Sequence, residues 1–450
     1  MESVSEVNTK NEINSKMLYI IFISLLIDLL AFTMILPLLP SLMDYYRQND
    51  PPEGLYNYFL SGINSFQRTI GAPDHYSSVL FGGTLGSMFS FLQFIVSPLS
   101  GGLSDVYGRK PILVLSLVGI AMSYALWTVS YSFTTFVFAR MLGGLSKGNV
   151  SLSLAVITDV STPATRTAGM ALVGIAFSVG FVIGPVIGAL FAKWASSQSE
   201  ANWFVLPASF ALFLACTDIV FVIFCFKETL PKEQRAKSVA ESLSHAITYI
   251  NVISLFNFSA VKHLQEAGRN DLKRLGLIYF VYLFIYSGLE FTLTFVTHHH
   301  FGFTPMKQGV MFFWIGLTMA FLQGSWVRRV PLERVKSVAT LGLMFIIPSY
   351  LCVAFATFET LLYVGVFLFA VSTAMVVPCM TTMASNFGGK DQKGTVMGVY
   401  RSLGALARAL GPILASIVYW SLGSSLTYTI GAVALLWPWM ALKATKIRQT

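Results

Sequence analysis

Long blocks of apolar residues place the strongest limit on what this chain can fold into. The segment Leu18–Leu39 contains one charged residue, Asp28, and the segment Trp203–Phe226 contains only Asp218. A helix needs roughly 20 mostly apolar residues to cross a bilayer, and only helices or closed barrels satisfy the backbone in lipid. The strands of a barrel would alternate between apolar and polar residues, which these blocks do not do. The sequence therefore predicts an all-α integral membrane protein.

The apolar blocks predict twelve transmembrane helices in two halves of six. Only 11% of the 450 residues are charged, whereas a soluble domain carries about 25%. The predicted spans are 17–40, 77–100, 111–131, 133–156, 168–192, 203–227, 273–298, 308–327, 338–357, 360–385, 395–420 and 425–443. The chain then divides into a cytoplasmic tail at 1–16, a six-helix bundle at 17–227, a cytoplasmic linker at 228–272, a second six-helix bundle at 273–443 and a cytoplasmic tail at 444–450.

The basic residues are distributed unevenly between the two sides of these spans. With the N-terminus in the cytoplasm, 22 of the 30 Lys and Arg residues fall in cytoplasmic segments and four fall in outer loops. Cytoplasmic loops of membrane proteins are enriched in Lys and Arg, so we expect both termini in the cytoplasm. The net charge of +9 then follows from topology, and we predict no nucleic-acid partner.

The two halves repeat each other in sequence. The tripeptide Phe-Leu-Gln at 91–93 recurs at 321–323, an offset of 230, and the Gly-Pro pair at 184–185 recurs at 411–412, an offset of 227. Nearly constant offsets on matching spans indicate two parallel, pseudo-symmetric six-helix bundles. Transporters built from such repeats bind solute between the halves near the midplane and work by alternating access.

The loop between spans two and three carries a specific motif. Residues 101–110 read Gly-Gly-Leu-Ser-Asp-Val-Tyr-Gly-Arg-Lys, which resembles the loop signature of the major facilitator superfamily. Val106 departs from the basic residue usual at that position. The resemblance implies the major facilitator fold and a gating role for six residues: Gly101, Asp105, Gly108, Arg109, Lys110 and the expected partner Asp159. A tight turn with basic anchors on the cytoplasmic side is the alternative interpretation.

Two further motifs resemble the drug/proton antiporter branch of the same superfamily. Glycines four apart let two helix backbones approach closely, which is also what ordinary packing would use. The motif in span five consists of Gly180, Gly184, Pro185 and Gly188. In span four Arg140 begins the sequence Arg-Met-Leu-Gly-Gly, and the arginine of that motif is associated with proton coupling in the family. Asp28 matches the family's acidic position in span one.

Several segments resemble the eukaryotic tetracycline transporter-like group within this superfamily. They include Leu-Leu-Ala-Phe-Thr at 29–33, Leu-Pro-Leu-Leu-Pro at 36–40 and Gly-Gly-Leu-Ser-Lys-Gly-Asn-Val-Ser-Leu-Ser at 143–153. The resemblance implies an exporter of organic anions in the plasma membrane or the inner nuclear membrane. Its expected partners are a small organic anion, protons and the lipid bilayer, with no obligate protein partner.

Seven charged side chains fall in the interior of the predicted spans, away from the charged residues at the span ends. Each costs roughly 2.5–3.5 kcal/mol near the centre of a bilayer and is a functional candidate for that reason. Four are cations and three are anions, namely Arg140, Lys147, Arg401 and Arg408 against Asp28, Asp218 and Glu290. The excess of cations favours an anionic solute. The predicted substrate-binding residues are Lys147, Arg401, Arg408, Gln93 and Tyr286, and the predicted proton-coupling residues are Asp28, Arg140 and Glu290.

Helical spacing and charge leave structural alternatives for these residues. Arg140, Gly144, Lys147 and Ser151 lie at i, i+4, i+7 and i+11 in span four and are expected to share one helix face. A purely structural pair of Arg140 with Asp28 is one alternative, and a structural Asp218 that faces Lys147 or the inner rim is another. Glu290 is either a proton site or an ion-pair partner.

Other function classes find little support in the sequence. There is no nucleotide-binding motif, no nucleophile beside a base and no metal-ligand spacing, so we predict no enzyme, no catalytic residue, no cofactor and no metal. Residues 298–300 are three consecutive histidines, which point about 100° apart on a helix and cannot share one ion there. The remaining alternatives are an antiporter of cationic or zwitterionic, tetracycline-like drugs and a transport-inactive scaffold or sensor.

Overall fold

Helices are the only regular secondary structure in the part of the chain that the structure describes. This computed structural model describes residues 4–70, 77–161, 166–197, 202–261, 266–387 and 393–445. The first nine helices are α1 Val4–Thr33, α2 Leu39–Asn49, α3 Leu55–Ile70, α4 Ser77–Tyr107, α5 Arg109–Thr128, α6 Phe133–Ser146, α7 Asn149–Val160, α8 Arg166–Ser197 and α9 Val205–Cys225. The other eight are α10 Val239–Thr248, α11 Val252–Asn257, α12 Glu266–Phe301, α13 Pro305–Ser325, α14 Leu332–Ala354, α15 Glu359–Ser385, α16 Lys393–Ala434 and α17 Leu436–Ala444.

Each of the twelve predicted spans falls on one or two of these helices. Span four is divided into α6 and α7, each of which is too short to cross a bilayer alone. Spans eleven and twelve form one apolar stretch, 395–444, but Gly423 has φ 79° and separates them. Within the described residues, nine helical stretches are long and apolar enough to span a membrane. The predicted N-terminal tail is helical from Val4, and most of the predicted 444–450 tail lies outside the described residues.

The helices form two bundles joined by a linker. The first half contains α1 and α4 to α9, and the second contains α12 to α17. We call the end of the bundle near residues 226–265 the linker end and the opposite end, where α2 and α3 lie, the far end. The halves meet where α4 packs on α16 and where α8 packs on α13. In the repeat that the sequence predicts, α4 corresponds to α13 and α8 corresponds to α16, so these two interfaces are equivalent.

The two halves approach each other closely at the far end. Gly83 on α4 faces Ser416 and the carbonyl of Pro412, leaving no room for a Cβ atom, and Gly309 on α13 faces the carbonyl of Pro185 in the same way. In addition, the backbone N–H of Ile413 donates to the hydroxyl of Ser87 over 2.8 Å. All these contacts lie toward the far end of their helices, so the bundle is closed there.

The insertion between spans one and two forms two helices instead of a loop. Asp50 joins them to the rest of the first half, since Oδ1 accepts from the backbone N–H of Phe133 over 2.8 Å and Oδ2 accepts from that of Tyr56 over 3.1 Å. Tyr46 also donates to the carbonyl of Ser130 over 2.7 Å. The α2 and α3 segments are therefore fixed to the start of α6.

The linker helices pack on protein. Ala246 of α10 lies against Gly102 of α4, while Phe258, which follows α11, lies against Gly276 of α12. Ala246, Leu255 and Phe258 are all buried. One linker helix therefore rests on the first half, and the other rests on α12 and α16 of the second half.

Candidate functional site

Span four breaks at its charged residue. Helix α6 ends at Ser146, and Lys147 has φ −80° and ψ 48°, which is not helical. The hydroxyl of Ser116 donates to the freed carbonyl of Ser146 over 2.6 Å, and Gly148 N–H donates to the same carbonyl over 2.8 Å. Side chains that satisfy backbone groups are a common cause of helix breaks. The predicted common face of Arg140, Lys147 and Ser151 is therefore wrong, because it required a continuous helix.

The break directs Lys147 to Asp28. The ammonium nitrogen of Lys147 lies 2.7 Å from both carboxylate oxygens of Asp28. The exposed fractions are 3% for the Lys147 side chain and 2% for that of Asp28, and the ammonium also lies 4.7 Å from the centre of the Phe32 ring. Asp28 thus pairs with Lys147 and not with Arg140. Both partners are predicted site residues, and in this conformation they neutralise each other.

Asp218 lies next to this ion pair without joining it. Its side chain is fully buried, and neither carboxylate oxygen has a hydrogen-bond partner among the described residues. Ser24 on α1 faces it, and Asp28 and Lys147 are the charged groups near enough to act on it. The expectation that Asp218 faces the region of Lys147 agrees with this placement.

Arg140 packs on an aromatic ring. Its guanidinium carbon lies 4.2 Å from the centre of the Phe89 ring, a distance at which the cation is attracted by the ring face. Within the described part of the chain it forms no ion pair. Gln93, one turn further along α4, is half-buried and makes no hydrogen bond with a described residue.

The second half places a carboxylate and two arginines around α12. The hydroxyl of Tyr286 donates to Oε1 of Glu290 over 2.9 Å. Arg408 on α16 is near enough to act on Glu290 and on Tyr279, yet no carboxylate in the described residues lies within ion-pair distance of it. Arg401, two turns earlier, also acts on Tyr279. Both arginine side chains are exposed. Because both face buried α12 side chains, they border the interior of the bundle, where lipid would not solvate them.

Tyrosines form the wall beside these charges. Tyr279 stacks on Tyr400 with ring centres 4.0 Å apart, and Tyr286 stacks on Phe369 at 5.1 Å. The hydroxyls of Tyr282, Tyr350 and Tyr400 are buried and have no hydrogen-bond partner in the described part of the chain. Tyr279, Tyr282 and Tyr286 of α12 are thus all buried inside the bundle. This wall supplies aromatic surface together with unused hydroxyl groups.

The loop motif forms a charged network at the linker end of the first half. Arg109 donates to Asp105 Oδ1 over 2.6 Å, to Ser104 Oγ over 2.6 Å and to Asp159 Oδ2 over 2.8 Å. The expected Arg109–Asp159 contact is therefore present. Gly108, which precedes α5, has φ 104°, a conformation that favours glycine. Gly101, in contrast, faces open space.

Glu228 belongs to this network, although no motif marks it. Its carboxylate accepts from the backbone N–H groups of Arg109 over 2.9 Å and of Lys110 over 3.1 Å. A carboxylate at a helix N-terminus is stabilised by unpaired N–H groups and the helix dipole. Lys110 itself donates to the carbonyl of Ile223 over 2.7 Å and pairs with no carboxylate that the structure describes.

The glycine motif of α8 packs against α1. Gly184 faces Thr33 and the carbonyl of Leu30 too closely for any side chain, and Gly188 faces the carbonyl of Met34 in the same way. The carbonyl of Gly180, the first glycine of the motif, accepts from Thr33 Oγ1 over 2.8 Å. The close approach that the spacing predicts therefore occurs within the first half, while Pro185 faces the second half.

The three histidines lie at the far end of α12. His298 Nε2 lies 2.7 Å from Asp44 Oδ2 on α2, and His299 Nε2 lies 3.0 Å from the hydroxyl of Ser78 on α4. His298 is partly shielded from water, with 22% of its side chain exposed. In the described residues, no group of three or more His, Cys, Asp or Glu is arranged to hold a metal ion.

The resemblance to the major facilitator superfamily is confirmed by comparison with known proteins. The sequence profile of the Major Facilitator Superfamily matches residues 21–412. The mouse protein (Mus musculus) called major facilitator superfamily domain-containing protein 10 is 44% identical over 435 residues, covering 95% of this chain and 92% of that protein. The Escherichia coli tetracycline resistance protein, class B, is 24% identical over 395 residues, covering 88% of this chain and 86% of that protein.

A solved structure agrees with the sequence relatives. The crystal structure of the human organic anion transporter MFSD10 (TETRAN) matches with a TM-score of 0.77 and 42% identity, covering 95% of this chain and 99% of that one. A peptide transporter structure shares the fold with a TM-score of 0.69 at 13% identity. The helices of this chain are those of a multi-pass membrane transporter, and the chain belongs to the Major Facilitator Superfamily.

Proposed function

We propose that the protein exports amphipathic organic anions in exchange for protons, by alternating access of a site between its two halves. The observation that carries this proposal is the set of arginines without a carboxylate partner. Among the described residues, Arg140, Arg401 and Arg408 form no ion pair, whereas Lys147 is neutralised by Asp28. Three uncompensated cations inside a membrane protein favour a ligand that brings negative charge.

The shape of the site supports an amphipathic ligand. A guanidinium group binds a carboxylate or sulfonate through two parallel hydrogen bonds, and Arg408 has this capacity unused. The stacked rings of Tyr286 and Phe369 offer an apolar surface nearby. Unused tyrosine hydroxyls can donate to further oxygen atoms of the ligand. A flat organic acid matches this combination better than a small inorganic anion does.

The relatives support the same substrate class. The human structure of 42% identity is that of a protein described as an organic anion transporter. A relative of lower identity, 24%, is a tetracycline resistance protein, which keeps a cationic or zwitterionic drug as the second candidate. The uncompensated arginines favour the anion, and the carboxyls Asp218 and Glu290 would favour the drug.

The closed far end supports alternating access. We propose that the linker end faces the cytoplasm, as the Lys and Arg bias predicts, so that this conformation opens inward. Opening the far end then requires the contacts of Gly83 and Gly309 to separate. The network of Arg109, Asp105 and Asp159 lies wholly within the first half here, and we propose that it keeps α4, α5 and α7 together while the halves rock.

The proposed topology has its own test. We propose six helices in each of the segments 17–227 and 273–443, with the termini and the linker on the cytoplasmic side. The host membrane that we propose is the plasma membrane or the inner nuclear membrane. A protease added to sealed, right-side-out vesicles would leave the linker intact and would cut it after the vesicles are inverted. Cleavage of the linker in the first sample would reverse the orientation.

Anion counterflow tests the function. Proteoliposomes preloaded with an unlabelled aromatic carboxylate or sulfonate should accumulate the labelled compound, and an opposing pH gradient should change the rate. Arg408→Gln should weaken anion binding about tenfold or more, since hydrogen bonds to charged groups contribute about 1.5–3 kcal/mol. Arg408→Lys should recover only part of that loss, because lysine lacks the planar pair of donors.

The control for this experiment is Arg334→Gln, which removes an exposed cation of the same half at the linker end. It should leave counterflow unchanged. Flux of cationic dyes without flux of any anion would favour the drug antiporter. An absence of flux for both classes would contradict transport and favour a scaffold or sensor.

A further inference from the structure

Asp218 is a buried carboxyl that takes part in none of the ion pairs among the described residues. It has 0% exposure, neither of its oxygens makes an ion pair or a backbone hydrogen bond with a described residue, and the hydroxyl of Ser24 is the polar group that faces it. A carboxylate in such surroundings is strongly destabilised without a cation beside it, and groups of this kind take up a proton instead.

Asp218, Asp28 and Lys147 together carry no net charge when one of the two carboxyls is protonated and Lys147 is an ammonium group. Lys147 contacts both oxygens of Asp28 at 2.7 Å, so these two residues balance each other. Asp218 adds a second acid next to the same amine. Two acids and one amine are neutral together when a single proton is bound in addition to that of the ammonium group. Acids coupled this closely titrate as one unit.

We propose that Asp218, Asp28 and Lys147 form a proton-binding site in which Lys147 pairs with one carboxylate and the proton occupies the other carboxyl. In this conformation the proton is on Asp218. When Lys147 turns from Asp28 to Asp218, the O–H bond of Asp218 breaks and the proton is transferred to the carboxylate of Asp28. This inference rests on the proton exchange of the proposed function. It adds Asp218 to the predicted proton-coupling residues.

No other charged group in the described structure competes for this role. Helices α1, α5 and α8 pack against α9. From α1 the acting group is Asp28, with the neutral hydroxyl of Ser24 beside Asp218. The described charged residues of α5 and α8 lie at the ends of the bundle, where Arg109 belongs to the loop network and Lys193 is exposed. Lys147 is thus the cation available to Asp218.

Carbodiimide labelling tests the site directly. Dicyclohexylcarbodiimide modifies protonated carboxyls in apolar surroundings, and peptide mass spectrometry reports the modified residue. In the full-length carrier reconstituted in vesicles, Asp218 should be labelled at neutral pH and should lose its label in one step as the pH rises. Sodium ions at constant pH should not protect it.

The decisive variant changes a neighbour of the labelled residue. Asp28→Asn leaves Lys147 without its partner, so Lys147 should pair with Asp218 and remove its proton. Labelling of Asp218 should then be lost at neutral pH, although Asp218 itself is unchanged. Lys147→Gln should have the opposite effect, with Asp28 labelled as well as Asp218. Glu290→Gln, which removes a carboxyl of the other half, is the matched control and should leave Asp218 labelling as it was.

Several outcomes would overturn the proposal. Unchanged labelling of Asp218 in the Asp28→Asn variant would make it an isolated buried acid, and protection by sodium would make the site a metal-cation site. Absence of label at every pH would also contradict it. Size-exclusion profiles establish that each variant is folded. Labelling needs no transported solute. The labelling experiment can therefore contradict the proton site while counterflow supports the proposed function, and the reverse is also possible.

Discussion

His298 on α12 lies 2.7 Å from Asp44 on α2, and this contact joins the second half of the protein to the far end of the first. The two residues belong to helices that otherwise touch only slightly. The exposed fractions are 22% for the His298 side chain and 35% for that of Asp44, so water weakens the contact without removing it. Its position makes it a contact that must break if the far end opens.

Asp44→Asn should therefore shift the carrier toward the conformation that is open at the far end. Partly exposed pairs contribute about 0.2–1 kcal/mol, so the shift should be at most about fivefold. The measurement is the rate at which an impermeant thiol reagent modifies a cysteine placed at Ser87, in a background that lacks the natural cysteines. Glu359→Gln is the matched control, because it breaks the exposed Lys307–Glu359 pair within the second half. Equal rates for both variants would contradict the prediction.

Removal of one partner of the buried Asp28–Lys147 pair should destabilise the protein. Lys147→Met leaves a buried carboxylate without its cation, which typically costs about 3–5 kcal/mol. The double variant with Asp28→Asn and Lys147→Met should recover most of that loss, because no charge is then unpaired. Thermal unfolding in detergent measures both variants. A double variant no more stable than the single one would show that packing, and not charge, is lost.

The charged network at the linker end should respond unequally to two substitutions. Asp159→Asn removes the carboxylate 2.8 Å from Arg109, whose side chain is 9% exposed, so it should lower the unfolding temperature more than Glu228→Gln does. Glu228 accepts from the first backbone N–H groups of α5, a contribution of about 0.3–1 kcal/mol. The amide of the Gln variant can still accept one of these bonds. The reverse order of unfolding temperatures would contradict this account.

Two glycines of one helix should behave differently when substituted. Gly184→Ala places a methyl group against Thr33 and the carbonyl of Leu30, whereas Gly174→Ala, on the same helix, meets nothing within 4 Å. We expect Gly184→Ala to reduce both folded yield and transport. Gly174→Ala should be neutral or slightly stabilising, since alanine favours a helix by about 1 kcal/mol over glycine. Measurement of monodisperse yield and counterflow compares them directly.

A substitution at Gly101 distinguishes a role of this glycine in helix packing from a role in gating. It belongs to the loop motif, yet a Cβ there would meet nothing within 4 Å. Gly101→Ala should therefore leave the unfolding temperature unchanged or raise it slightly, since Gly101 lies inside α4 and alanine favours a helix. If counterflow falls without a loss of stability, the glycine is needed in another conformation of the cycle, as its predicted gating role requires. Unchanged counterflow would remove Gly101 from the gating residues.

The parts of the fold that depend on hydropathy could be predicted from the sequence. Apolar blocks and turn residues locate the twelve spans, and Gly423 divides the last two where the sequence predicts a division. The contact of Arg109 with Asp159 was also predictable, because both charges lie at the same end of neighbouring spans. Such inferences need only position along the membrane normal.

Contacts that depend on local backbone geometry or on distant sequence could not be predicted. The pairing of Lys147 with Asp28 requires the break after Ser146, and no hydropathy pattern marks that break. Glu228 caps α5 from the chain segment after α9, and its only signal is an acidic residue just beyond a span. His298 and Asp44 belong to different halves, so neither periodicity nor the repeat relates them.

The short connection between α10 and α11 sets an upper limit on movement at the linker end. Helix α10 rests on α4 of the first half, and α11 rests on α12 and α16 of the second, with only residues 249–251 between them. A chain extends at most about 3.3–3.6 Å per residue. While both helices stay docked, the stroke of the carrier at this end is therefore bounded by the length of a few peptide units. A longer insertion there would lengthen the stroke without altering the solute site.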